Sequence, residues 1–326
     1  MNEFSRIETF LEAFSRRPSP AGPGDDAAVL PASGRVQVVT TDSLVEGVHF
    51  SRRTFRFSDV GHKALAVNLS DIAAMGARPT WAVCALQLPE DVSTSDLRQL
   101  SSGMSALASA HGVSLVGGNV ARSLQLSITV TLAGEIPKGR RPITRGGARP
   151  GHVVYVSGPL GSASAGLEAL TDGKREASKK GPVTVDKAWE ALVLAQRTPS
   201  PHVRWGLEAS RFVSAGIDVS DGLLADLGHV CVASGVGMAL ETGALPVLEA
   251  LLTFAESEKL VHTHALTGGE DYVLAVTVPK TRAAEFERHM ERLGHGAFPI
   301  GVVTKARELT VDGQRWRGGT GFQHFT

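Results

Sequence analysis

The chain has 326 residues, with 33 basic and 33 acidic side chains and no formal net charge. That length suits two domains, each with its own core, and the charge balance supplies no general field for nucleic acid or an anionic membrane. The only cysteines, Cys84 and Cys231, lie far apart in apolar surroundings, which excludes a disulfide framework or zinc ribbon and reads as two buried thiols.

In chain order, Phe4, Ile7, Phe10, Leu11 and Phe14 are spaced as one face of a helix. Glu3, Glu8 and Glu12 interrupt this N-terminal stretch, so it does not resemble a signal peptide. No later run reaches the roughly 20 apolar residues of a membrane span, and a cytoplasmic protein is expected. Pro18 to Gly24 reads as a loop. Val36 to Thr40 predicts a strand that delivers Thr41 and Asp42 at its end. Ser58 is the expected N-cap of a helix to Met75, with Asn68 and Asp71 on one face. Trp81–Leu88, Val113–Val116 and Leu126–Gly134 read as strands, and Ser95–His111 as a helix. This half should form a mixed sheet.

A boundary is expected between Pro137 and Pro150, where five basic residues sit among prolines and glycines, giving domains 1–137 and 138–326. The second half restarts with a strand at His152–Ser157, a Gly/Ser/Ala-rich turn and a helix through Leu170. Thr171 to Asp186 is polar and reads as a surface loop. Helices at Val203–Val213, Leu223–Ala233 and Arg282–Leu293 alternate with strands at Tyr272–Val278 and Pro299–Val303. The fold class is α/β (α+β). His262 and His264 read as surface residues.

Six short stretches set an acidic or amide residue beside glycine or a small hydroxyl residue. They are Gly22–Asp26, Thr40–Ser43, Asn68–Asp71, Gly117–Asn119, Asp218–Gly222 and Gly268–Asp271. Two carboxylates about 4 Å apart repel by roughly 4 kcal/mol at an effective dielectric of about 20. If the stretches converge they need a divalent cation. Hard oxygen ligands favour Mg²⁺, which usually bridges to substrate phosphates. Asp221 should sit at a helix N-terminus, suited to an anion or to a metal held against phosphate. Neither a P-loop nor a protein-kinase motif set is present.

Taken in order, GPGDDAAVL, TTDSLVEGVHF, HKALAVNLSDIAAMGARPTWA, LVGGN, RPITRGGARPGH, GIDVSDGLLADLGH, LTGGEDYVL and GFQHF resemble the thiamine-monophosphate kinases of the aminoimidazole-ribonucleotide-synthetase-like superfamily. The resemblance implies an N-terminal mixed-sheet domain that pairs in a homodimer and a C-terminal domain with a ferredoxin-like core. It implies ATP-dependent phosphorylation of thiamine monophosphate to thiamine diphosphate, assisted by several Mg²⁺ ions. Position by position, Asp26, Thr40, Thr41, Asp42, Asp71, Asp218 and Asp221 would ligate metal. Gly118, Asn119, Arg145 and Ser220 would serve ATP, and His49, Glu270 and Phe322 the thiamine substrate. Two departures stand out. Asn119 and Gln323 occupy positions where the family pattern has aspartate, which implies one weakened metal site. Alternatives are a catalytically impaired nucleotide- or thiamine-phosphate-binding protein and another ATP-using synthetase of the superfamily. Against the latter, the chain ends His324-Phe325-Thr326 without the reactive C-terminal cysteine of the hydrogenase-maturation member.

Overall fold

The computed structural model describes residues 3–14, 30, 32–171, 186–316 and 321–322. Asp26, Gln323 and most of the polar stretch after Thr171 therefore lie outside the described residues. The chain divides into two compact units. Of the described residues, one holds 3–72 and 78–138, the other 73–77, 139–171 and those from 186 onward.

The first unit holds α1 (Glu3–Leu11), β1 (Gln37–Val45), most of α2 (Phe57–Ala74), β2 (Arg78–Leu88), α3 (Thr94–His111), β3 (Ser114–Arg122) and β4 (Ser127–Glu135). Its sheet has the order β1-β4-β2-β3, with β2 and β3 parallel and the other pairs antiparallel. Helix α3 starts where the composition dictates: Ser93 and Asp96 form a reciprocal capping box, and Gly112 ends the helix in the left-handed conformation. Helix α2 begins one residue before the expected cap, with the Asp59 carboxylate accepting the Arg56 N–H at 3.0 Å.

Two strands run further than their apolar runs suggest. Strand β1 continues to Val45, so Asp42 sits inside the strand rather than at its end, because β4 pairs with it along its whole length. Strand β3 continues through Gly117, Gly118 and Asn119 beside β2. Propensity disfavours glycine in strands, and here the ladder overrides it.

The second unit contains β5 (Val153–Val156), α4 (Ser162–Thr171), α5 (Glu190–Arg197), α6 (Val203–Ala209), β6 (Ala215–Asp218), α7 (Leu223–Ser234), β7 (Gly237–Leu240), α8 (Glu249–Phe254), α9 (Glu258–Thr267), β8 (Leu274–Val278), α10 (Lys280–Arg292), β9 (Phe298–Thr304), β10 (Leu309–Val311) and β11 (Gln314–Arg315). Its mixed sheet has the order β11-β10-β7-β9-β5-β8-β6. Strand β8 reads Leu-Ala-Val-Thr-Val and is buried at every position, as expected of a central strand covered on both faces. One core of Val154, Val156, Ile217, Leu223, Leu227 and their neighbours joins β5, β6 and α7. That packing holds the β6–α7 turn against a rigid base. Among the described residues no helix is long and apolar enough to cross a membrane.

Candidate functional site

In the first unit, strand alternation decides which acidic-motif residues meet. Across the sheet Asp42 pairs with Val130, Val130 with Cys84 and Cys84 with Gly118. Val130 and Cys84 are buried, so this row belongs to the core face. Thr40 and Asp42, two apart on β1, share that face and reach Asp71 on α2. Thr40 Oγ1 donates to Asp71 Oδ2 at 2.5 Å. Asp42 and Asp71 are in hydrogen-bonding contact, and surrounding protein atoms first, then the Asp71 charge, push the Asp42 carboxyl up to about 6. Asp42 nonetheless reaches solvent.

Thr41 alternates to the opposite face. Its hydroxyl pairs with Thr131 Oγ1 at 3.0 Å and lies 3.2 Å from the Val130 carbonyl. Its side chain is therefore not part of the Thr40–Asp42–Asp71 cluster. Asn68 does not join it either: it is fully buried, and its amide donates back to the Ala64 carbonyl at 3.0 Å. Gly118 and Asn119 lie on β3, the far edge of the sheet from β1. Three strand spacings make that roughly 14 Å, too far for one protomer's Asn119 to share a cation with its own Asp42. His49 follows β1, and its Nδ1 accepts the Val45 N–H at 3.0 Å, which leaves the proton on Nε2 when the ring is neutral.

In the second unit, the β6–α7 turn gathers the other motifs. Strand β6 ends at Asp218, which is buried, and Ser220 and Asp221 follow it, half-buried. Ser220 thus lies beyond the strand and does not share a strand face with Asp218. The Glu270 N–H donates to the Ser220 carbonyl at 2.8 Å and the Phe322 N–H to the Asp221 carbonyl at 3.0 Å. The turn therefore touches both the Gly268–Asp271 segment and the C-terminal segment. Glu270 has φ 69°, a left-handed conformation uncommon for a non-glycine residue and concentrated at functional sites. Gln196 Nε2 donates to Glu270 Oε2 at 2.6 Å.

Two carboxylates of these motifs serve the backbone. Asp271 accepts N–H bonds from Gly161 and Ala163 at 2.5 and 3.0 Å, capping α4. Asp226 accepts from Ser220, Asp221 and Gly222. Burial, then the charge of Asp221, pushes Asp226 up to about 6. The α7 N-terminus is thus occupied by a side chain of the protein, not open to an anion as the motif alone suggests. The signal for Asp226 is an acidic residue in the first turn of α7, which sequence reading assigns only a dipole role. Arg145 is exposed, and its carbonyl accepts from Ser234 Oγ at 2.9 Å. His264 is no surface residue: Nδ1 lies 2.9 Å from Ser164 Oγ, and Nε2 lies 3.2 Å from Glu168.

The Thr40–Asp42–Asp71 donor set fits Mg²⁺. It offers only hard oxygens, and two carboxylates in contact must share a proton or a cation. Among the described residues no three His, Cys, Asp or Glu side chains cluster closely enough to hold a metal by themselves. That too is how Mg²⁺ is commonly held, with one or two carboxylates plus phosphate and water.

The family models for the AIR synthase related protein N-terminal and C-terminal domains match residues 24–136 and 149–314. The thiamine-monophosphate kinase of Salmonella typhimurium is 38% identical over 93% of this chain and 90% of its own length. That of Escherichia coli K12 is 37% identical over 99% and 98%. The crystal structure of the Stenotrophomonas maltophilia thiamine-monophosphate kinase superposes with TM-score 0.83 at 36% identity, covering 96% of both chains. AaThiL complexed with AMPPCP and TMP superposes with TM-score 0.80 at 32% identity, over 96% of this chain and 100% of that one. With both domains matched in order and relatives aligned along nearly the whole length, this chain belongs to the thiamine-monophosphate kinase family of AIR-synthase-related proteins.

Proposed function

We propose that this protein transfers the γ-phosphoryl group of ATP to the phosphate of thiamine monophosphate, giving thiamine diphosphate and ADP. The observation that carries the reading is the Thr40–Asp42–Asp71 oxygen cluster in a chain aligned end to end with such kinases. A relative of the same fold is complexed with AMPPCP and TMP, in line with a protein that binds both substrates. The acceptor phosphate is itself the nucleophile, so no side-chain nucleophile is required, and the protein's task is positioning and charge neutralisation. Mg²⁺ held by the oxygens of that cluster would supply charge neutralisation for the phosphates. Within the first unit Asp26, Thr40, Thr41, Asp42 and Asp71 would serve as metal ligands, and within the second Asp218 and Asp221 would do so. Gly118, Asn119, Arg145 and Ser220 serve ATP, and His49, Glu270 and Phe322 the thiamine side. The test is coupled ADP release with thiamine monophosphate and Mg²⁺-ATP, with and without chelator. No thiamine-dependent ADP release sinks the reading.

The first unit is also the dimerisation domain in this proposal, and the protein works in the cytoplasm as a homodimer. Support comes from the sheet face opposite the core. It presents Thr41, Thr129 and Thr131 with half-exposed Val83 and Ala85, and Val39 on β1 is 60% exposed. Exposed Val39 beside half-exposed Val83 and Ala85, among threonines paired with one another, is the kind of open sheet face that a second copy would cover. Light scattering that gives a monomer mass at micromolar concentration refutes it.

A further inference from the structure

Every main-chain N–H and C=O of Ser220, Asp221 and Gly222, in the turn between β6 and α7, is hydrogen-bonded within the protein. Asp226, 2% exposed, takes the N–H groups of Ser220, Asp221 and Gly222 at 3.0, 3.1 and 3.1 Å, all on Oδ2. The three carbonyls are taken as well, by the N–H groups of Glu270, Phe322 and Asp226 at 2.8, 3.0 and 3.0 Å. Gly222 makes the geometry possible: its φ is 132°, and a Cβ there would sit 2.8 Å from the Thr267 carbonyl oxygen. Helix N-termini bind phosphate through free amides, and here none of these three is free. With no free amide left for a phosphate, the turn offers a nucleotide the side chains of Ser220 and Asp221.

We propose that Asp226 is a positioning residue of the kinase reaction. By filling the amides of the turn it makes the α7 N-terminus a side-chain holder for metal-bound nucleotide instead of a phosphate cradle. It does so in a turn whose Ser220 and Asp221 carbonyls accept the Glu270 and Phe322 N–H groups. The inference rests on the proposed kinase reading, but its test does not depend on turnover.

The experiment titrates Mn²⁺ with AMPPCP into wild type, Asp226→Asn and Asp226→Ala, following free Mn²⁺ by electron paramagnetic resonance. Circular dichroism measures the folded fraction. Loss of a group that orients metal ligands costs about 10–100-fold in metal affinity, so a rise in Kd of that size is expected, larger for Ala than for Asn. In turnover, KM for Mg²⁺-ATP should rise by a larger factor than kcat falls. A merely structural role would shrink the active fraction and leave Kd unchanged. A Kd within twofold of wild type in either folded variant overturns the proposal. If neither variant folds, amide hydrogen exchange in the unmodified protein decides. Protection of Ser220, Asp221 and Gly222 is expected, and exchange at the free-peptide rate overturns it. Wild-type protein that binds Mn²⁺-AMPPCP but never phosphorylates thiamine monophosphate would refute the kinase reading and leave Asp226 judged by binding.

Discussion

Helices α2 and α3 approach each other at two glycines, and the contact predicts an inverted response to a normally favourable substitution. Gly→Ala inside a helix ordinarily stabilises by about 1 kcal/mol. A Cβ on Gly103 would sit 1.9 Å from the Ser58 carbonyl oxygen, and one on Gly61 the same distance from the Leu100 carbonyl oxygen. Ordinary contact begins near 3.4 Å, so Gly103→Ala must drive the helices apart by on the order of 1.5 Å. The obstacle is backbone and cannot rotate away. Overpacking of this kind costs about 1–3 kcal/mol, and the upper end applies against main chain. After the propensity gain the net loss is about 2 kcal/mol, or a melting temperature lower by roughly 4–8 °C. Gly228, in the middle of α7, has nothing within 4 Å of such a Cβ, so Gly228→Ala should stabilise by up to about 1 kcal/mol. Calorimetry of both variants against wild type measures the pair. Because α2 carries Asp71, Gly103→Ala should also lower kcat, a displacement of about 1 Å being able to cost about 100-fold. A Gly103→Ala protein as stable as wild type would refute the close-approach argument.

Asp42→Ala and Asp71→Ala should each lower kcat by orders of magnitude while circular dichroism stays native; near-normal turnover after confirmed metal removal would refute the metal-cluster reading. Phe322, 52% exposed, should lose about 1 kcal/mol of ring stacking when changed to Ala, raising KM for thiamine monophosphate roughly fivefold; a rise confined to the ATP KM would count against its assignment. His202 is pushed down from 6.5 to about 4, first by burial and then by His295. Below about 6.5 the unfolded chain protonates this ring while the folded protein keeps it neutral, so stability falls as pH drops from there toward 4, at up to roughly 1.4 kcal/mol per pH unit. Urea denaturation across that range should show the slope, and His202→Gln should flatten it. Asn119→Asp should leave the half-saturating Mg²⁺ concentration unchanged, because Asn119 stands roughly 14 Å across the sheet from Asp42; a lower requirement would refute its placement away from the metal.

Much of this protein is determined by its amino-acid sequence alone. Periodicity dictates α3 almost to the residue, because Ser93, Asp96 and Gly112 satisfy its ends with groups only a few positions away. The ordered motifs carry the family for the same reason: each is a local string whose order along the chain survives any folding. The tertiary structure decides what no local string encodes. Thr40 and Asp42 face Asp71 while Thr41 turns away, because β4 pairs with all of β1 and fixes the alternation. Asn119 is separated from Asp42 by the strand order, which depends on pairings between residues from about 30 to nearly 100 positions apart. Asp271 caps a helix that begins more than 100 residues earlier in the chain. Asp226 is close to its partners in sequence, yet whether its carboxylate turns to solvent or to three amides depends on the burial of α7 against the sheet. A lone carboxylate on an exposed helix gains little from such bonds. Enclosed in a core it must make them, since the cost of an unpaired buried charge exceeds that of shaping a loop around it.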